Sequence, residues 1–291
     1  MGIFSFIYWD PDPQMFFLPG LGWPIFWYGG FFALGFAVGF SVFYRLVLKL
    51  IDPTENPSGE AKKMAMRLAD RLTMYVIVAT IVGARLGHYL FYENPSDYLA
   101  RPLEIFLIRK GGLASHGAAI GIVIGVMLFA RRYKSYFEVH WIRLLDLICV
   151  PTALAGACIR VGNFCNQEIL GTVTTMPWAV IFGHPMDRSF PAPRHPVQLY
   201  EAVCYLAIFI LLWRFTYLSK YFRGKGFLFG LFLVLTFSSR FCIEFFKVEQ
   251  SFLIGKSFFT MGQVLSIFPI GAGAYLLYFF FRQEECKRVS Q

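Results

Sequence analysis

The chain has 291 residues, 57% of them hydrophobic and only 15% charged, where ordinary soluble domains carry about 25% charged residues; a water-soluble fold is excluded. Its apolar stretches approach the ~20 residues a helix needs to cross hydrocarbon, and no polar segment is long enough to build a second core. The net charge of +9 is dispersed between those stretches, a pattern of topology and anionic-lipid attraction rather than of nucleic-acid binding.

Residues 1–24 hold no Lys or Arg, and the first basic residue is Arg45. The basic n-region of a cleavable signal peptide is therefore missing, and the first apolar span is expected to stay in the protein. Seven spans follow in chain order, at about 25–48, 72–92, 112–130, 141–163, 197–216, 225–246 and 259–281. Each must be helical, because an unpaired backbone group in lipid costs several kcal/mol. With the N-terminus outside, seventeen basic residues fall in the inner loops and tail and seven on the outer side. The positive-inside rule then favours N-out and C-in. The expected fold class is an all-α polytopic membrane protein with seven transmembrane helices and small extracytoplasmic additions. Its parts are an extracytoplasmic arm at 1–24, a membrane body at 25–282 with an insertion at about 164–195, and a cytoplasmic tail at 283–291.

The basic residues left over are Arg85, Arg160 and Arg240, all inside or at the edge of a span. An Arg at mid-membrane costs at least ~2.5–3.5 kcal/mol and normally faces a partner or a polar cavity. In the N-out orientation all three lie in the outer half. So do His116, near the start of the third span in GGLASHGAAIG, and Arg194, His195 and Gln198 in RHPVQLYE at the mouth of the fifth. The stretch RVGNFCNQEILG, residues 160–171, adds Asn163, Asn166, Gln167 and Glu168 where the fourth span ends. Blander roles exist for each. Arg240 and Glu244 sit four apart and can neutralise each other, while Arg85 and His88 can snorkel to the interface. Asn163 and Asn166 can cap a helix end, and His116 can be a buried structural imidazole. Arg160 has no acid one turn before it, which leaves Glu168 or a distant residue as partner. Gly117, Gly121 and Gly125 form a repeated small-residue stripe that suits close helix packing. The six cysteines, Cys149, Cys158, Cys165, Cys204, Cys242 and Cys286, show no CxxC spacing and read as apolar packing.

Several guanidinium groups in the outer half of a bilayer suit a phosphate, whose oxygens match the guanidinium fork; in that place it would belong to a lipid headgroup. No phosphate-binding glycine loop, serine-hydrolase elbow or metal-ligand cluster occurs. A transporter with an arginine-lined anion path is the main rival, but no internal repeat supports it. An intramembrane protease would want paired acids or a facing Ser–His pair, and Asp146 stands without a second acid.

RVGNFCNQEILG also resembles the signature of the prolipoprotein diacylglyceryl transferases, roughly G-R-x-G-N-F-x-N-x-E-x-x-G. GGLASHGAAIG and RHPVQLYE resemble two more of that family's segments. WYGG at 27–30, GARLGHYLFY at 83–92, SSRFCIEFF at 238–246 and MGQVLSI at 261–267 follow in the family's order. The resemblance implies transfer of the diacylglyceryl group of phosphatidylglycerol to the lipobox cysteine of a prolipoprotein that still carries its signal peptide, with glycerol phosphate released. It implies a bacterial cytoplasmic (inner) membrane enzyme whose partners are phosphatidylglycerol, the prolipoprotein signal peptide and membrane lipids, with no nucleic acid, cofactor or metal. Carried over, His116 and Arg240 are the catalytic candidates. Arg160, Asn163, Asn166, Glu168, Tyr28, Gly171, Arg85 and His195 are the phosphatidylglycerol-binding ones. The chain departs from the pattern at Ile159, where glycine is usual, at Thr236, where tyrosine is common, and at Phe26, where histidine is common. The change at 236 puts a phenol at that place in doubt, with Tyr200 a neighbour able to supply one.

Overall fold

A computed structural model of the chain describes residues 6–17, 20, 22–92, 114–134, 139–218, 221–222, 225–248 and 260–289. Seven helices of 18 residues or more run through them: α1 (Trp27–Ile51), α2 (Gly59–Tyr92), α3 (Ser115–Arg132), α4 (Trp141–Cys165), α5 (Val197–Phe215), α6 (Phe227–Glu244) and α7 (Met261–Val289). Every expected span has its helix. The largest departure is α2, which begins 13 residues before the expected 72. Its first four turns bury Ala61, Ala65, Leu68, Ala69 and Leu72, while Lys62, Lys63, Arg67 and Asp70 face outward. That is an amphipathic helix, invisible to a search for continuous apolar runs. Ser58 fixes its start by accepting the Ala61 N–H at 3.1 Å.

α1, α4, α5, α6 and the Met261–Cys286 part of α7 are each long and apolar enough to cross a membrane. Leu34, Val203, Ile210, Phe268 and Tyr275 stand exposed on them, an apolar surface of the kind that lipid covers. The chain is a multi-pass membrane protein.

It divides into two units, one made of Met1–Phe43 and Ile148–Gln291, the other of Tyr44–Leu147. In the second unit α2 and α3 touch backbone to backbone. A methyl group on Gly117 would overlap the Gly83 carbonyl and come 2.8 Å from Gly87 Cα. The Ala114 N–H donates to the Ala84 carbonyl at 2.9 Å. The glycine stripe is thus packing, as its spacing predicts: small residues let the helices approach and gain van der Waals contact that lipid cannot provide.

The first unit carries short strands in the two segments expected as additions, a detail absent from the helical reading. β1 (Ile7–Trp9) pairs in parallel with β4 (Val180–Phe182), which pairs antiparallel with β5 (Pro193–Arg194). β2 (Gln14–Phe17) and β3 (Pro24–Phe26) form a separate antiparallel pair. Strands of two to four residues are too short to show a period-2 pattern in sequence. Phe164, Leu170, Val180 and Phe182 form a buried cluster under the larger sheet, with Trp9 and Leu199 packed against it. Trp9 also donates its indole N–H to the Phe164 carbonyl at 3.2 Å. Beside it Asp10 meets His184 Nδ1 at 2.6 Å and accepts from Gln167 Nε2 at 3.1 Å. The His184 and Gln167 hydrogen bonds hold the Asp10 carboxyl below the ordinary carboxylate range.

The glycine contact gives a direct test. Gly117→Leu should lower the melting temperature in detergent by an amount corresponding to about 1–3 kcal/mol or more, the cost of overpacking. Gly271→Ala, whose methyl would meet nothing within 4 Å, should melt like the wild type.

Candidate active site

The polar stretch after the fourth span is built by the way α4 ends. The Glu168 N–H donates to the Asn163 carbonyl at 3.1 Å and the Gln167 N–H to the Phe164 carbonyl at 3.2 Å. With Gln167 left-handed at φ 52°, this is a Schellman C-cap whose usual glycine is replaced by glutamine. The motif lays Glu168 back over Asn163, whose Nδ2 donates to Glu168 Oε1 at 2.7 Å. Asn163 Oδ1 in turn accepts from Arg160 Nη1 at 3.0 Å. Gln198, fully buried on α5, holds the Glu168 carbonyl at 2.7 Å. Ile169 is also left-handed, at φ 57°. A β-branched residue there is a genuine outlier, and such strain, roughly 1–3 kcal/mol, persists only where the surroundings impose it. Here Leu170, next in the chain, is buried and Gly171 after it is pressed against the His195 backbone.

Arg160 finds its acid far away in sequence. Its Nε lies 2.8 Å from Glu201 Oε2, an ion pair without hydrogen-bond alignment. Glu201, in the second turn of α5, is fully buried. Its Oε1 takes Lys247 Nζ at 2.8 Å and stands 4.0 Å from Arg240 Nη1. One fully buried carboxylate therefore gathers cations from α4, from the end of α6 and from the residues just past it. Removing an acid from water is costly unless it is paired, and pairing with three cations meets that demand.

Arg240 also donates to the Tyr205 hydroxyl at 3.3 Å. A phenol thus reaches the α6 arginine, and it comes from Tyr205 rather than from Tyr200. Tyr200 instead meets Trp178 Nε1 at 2.7 Å and His195 Nδ1 at 3.1 Å. Thr236, which stands where the family commonly has tyrosine, is buried. Glu244 makes its direct ion pair with Lys247, at 3.4 Å, and not with Arg240 four residues before it.

Gly171 and Lys247 form an antiparallel bridge, flanked by the Thr172 N–H to Phe246 carbonyl bond at 2.8 Å and the Val248 N–H to Leu170 carbonyl bond at 3.1 Å. A side chain on Gly171 would overlap the His195 carbonyl, so this crossing needs glycine. Arg194 Nη1 donates to the Gly171 carbonyl at 3.1 Å. Burial pushes the His195 imidazole down toward its neutral form. Tyr28 lies against α4 at Gly162, where a methyl would be 3.1 Å from Tyr28 Cδ2, half a turn beyond Arg160.

In the first unit the structure therefore brings together Arg160, Asn163, Glu168, Gly171, His195 and Arg240, with Tyr28 of α1 set against α4 at Gly162 and Asn166 just past the end of α4. Arg85 and His116 belong to the second unit. Arg85 is buried and donates to the Tyr89 hydroxyl at 3.2 Å, its guanidinium 4.9 Å from that ring's centre. His116 is half-buried in the first turn of α3. Sequence reasoning missed Glu201, Lys247 and Tyr205 as site residues. Glu201 had a readable signal, as a lone acid at the mouth of an apolar span. Among the described residues no group of three His, Cys, Asp or Glu side chains is placed to hold a metal ion.

Removing one partner from a buried ion pair costs about 3–5 kcal/mol, since the other charges are left uncompensated. Glu201→Gln should lower the melting temperature accordingly. Glu201→Gln with Lys247→Met should cost less than the sum of the single changes, read by thermal unfolding of all four proteins.

Residues 14–279 match the family model described as prolipoprotein diacylglyceryl transferase. Among curated relatives, the phosphatidylglycerol–prolipoprotein diacylglyceryl transferase of Tolumonas auensis is 46% identical over 203 residues, 70% of this chain and 75% of that protein. The protein of the same name from Porphyromonas gingivalis is 41% identical over 283 residues, 94% of each chain. That of Chloroherpeton thalassium is 37% identical over 286 residues, 98% of each. A match over this share of the length, spanning the residues that build the carboxylate-centred cluster, settles the family: the chain belongs to the prolipoprotein diacylglyceryl transferases.

Proposed function

We propose that this protein transfers the sn-1,2-diacylglyceryl group of phosphatidylglycerol to the lipobox cysteine thiol of prolipoproteins, releasing glycerol phosphate. The observation that carries the reading is the convergence of Arg160 and Arg240 on one buried carboxylate. Glu201 holds both guanidinium groups in place, while Arg240 keeps about a third of its side chain exposed and so open to a ligand.

The cysteine sulfur attacks the glyceryl carbon bonded to the phosphate oxygen. The carbon–oxygen bond breaks, its electron pair leaves with the phosphate, and the thiol proton passes to a base. Charge grows on the departing phosphate, where Arg160 and Arg240 stabilise it; preorganised charges of this kind are usually the largest catalytic contribution. His116 takes the thiol proton as general base, the role histidine fills most often, since only the thiolate is a good nucleophile. Asn163, Asn166 and Glu168 orient Arg160 and the headgroup. Tyr28 and Gly171 shape the pocket, and Arg85 and His195 complete the lipid contacts. No metal or cofactor is needed, because the phospholipid brings its own leaving group.

All seven helices cross the membrane in this reading, N-terminus out and C-terminus in, in the bacterial cytoplasmic membrane. Residues 1–24 and 164–195 lie on the outer face and 283–291 in the cytoplasm. The 34 residues of α2 exceed the bilayer's ~20, so its charged first turns extend on the inner side.

The test uses purified protein, phosphatidylglycerol liposomes and a lipobox peptide, with mass spectrometry of the peptide cysteine. The wild type should add a diacylglyceryl group. Arg160→Ala should slow this by about 10²–10³, as loss of a charge-stabilising donor does, and His116→Ala by at least about 10². A folded, lipid-binding wild type that forms no adduct would refute the reading.

A further inference from the structure

The start of α7 is fixed by a reciprocal cap. Gln263 Oε1 accepts the Thr260 N–H at 3.0 Å, and Thr260 Oγ1 accepts the Gln263 N–H at 3.2 Å; this Thr-x-x-Gln arrangement is a capping box. Gly262 therefore has a set position in the first turn. Against it lies the Glu244 carboxylate, from the last residue of α6. A methyl group built on Gly262 would stand 2.5 Å from Glu244 Cδ and 2.9 Å from its Oε2, with Oε1 nearer still. Its three nearest atoms all belong to Glu244. A carboxylate is also favoured at a helix N-terminus by the axial dipole.

The crowding is peculiar because its closest atoms are the end of a flexible side chain. An alanine at 262 fits the helical backbone, and Glu244 can swing aside to admit it. The fold is then unharmed, but Glu244 leaves its ion pair with Lys247 at 3.4 Å. Lys247 is the side chain that shares Glu201 with Arg160 and Arg240. Freed of Glu244, its ammonium has Glu201 as its remaining acid and competes with both arginines for it.

We infer that Gly262 is a positioning residue: its missing side chain is the space in which the Glu244 carboxylate stands, and through Glu244 and Lys247 it sets how Glu201 is shared among the cations of the site. The inference deepens the proposed transferase reading and rests on it. A second-site comparison separates this role from ordinary packing. Glu244→Asp draws the carboxylate back by one methylene, so a methyl at 262 no longer collides with it.

Transfer rates and melting temperatures are measured for the wild type, Gly262→Ala, Glu244→Asp and the double variant, with Gly271→Ala as control. Gly262→Ala should slow transfer about tenfold when Glu244 is intact and less than about threefold in the Glu244→Asp background, the non-additivity of two groups in contact. Its melting temperature should stay at the wild-type value. Labelling of Lys247 by an amine-reactive reagent, read by mass spectrometry, should rise in Gly262→Ala and not in Gly271→Ala; this readout needs no activity. Equal rate losses on both backgrounds, or no rise in Lys247 labelling, would overturn the inference. A wild type that transfers nothing would instead overturn the proposed function, while the labelling result would still judge the role of Gly262.

Discussion

Glu201 is the constraint on which the rest of the site depends. It sits in an apolar helix with no exposed surface, a placement too costly for an unpaired carboxylate. The fold answers by bringing Arg160, Arg240 and Lys247 to it from α4, α6 and the segment beyond α6. The same contacts that neutralise the acid fix two guanidinium groups in place. In the proposed reaction a phosphate arriving there would meet charges already oriented, and their reorganisation would not be part of its barrier.

Much of the backbone around the cluster exists to hold that arrangement. The Schellman turn after α4 returns Glu168 to Asn163 and so to Arg160. Two left-handed residues, Gln167 and Ile169, bend the chain sharply enough for Leu170 to reach the core and Gly171 to cross Lys247. β1 and β4 then clamp the segment from above, with Trp9 and Asp10 reaching Phe164, Gln167 and His184. Strain in the turn is tolerated because the packing of Leu170 and Gly171 just after it imposes it.

The helical body was legible in the sequence because lipid imposes helices on apolar runs, and all seven were placed. The amphipathic turns before residue 72 were not, since their apolar period of 3.6 interrupts the hydropathy signal. The glycines at 117 and 121 were readable because small-residue spacing has one dominant meaning in helix packing. Of the site, the arginines, Asn163 and Glu168 stood out as polar groups in apolar surroundings. Glu201 and Lys247 were visible as charges but not as partners: 46 residues separate them, and no local spacing rule links them. Tyr205 was hidden for another reason. One tyrosine among 15 carries no signal until the fold sets it 3.3 Å from Arg240. The ion pairing of Glu244 with Lys247 rather than Arg240 shows the limit of helical spacing as a guide when a better-placed acid is available.

The most direct measurement of the central claim is an experimental structure of the protein with phosphatidylglycerol bound. The account predicts the lipid phosphate on the guanidinium groups of Arg160 and Arg240, with Glu201 still behind them and paired to Lys247. A headgroup phosphate bound away from both arginines, or a Glu201 that has released them, would contradict it.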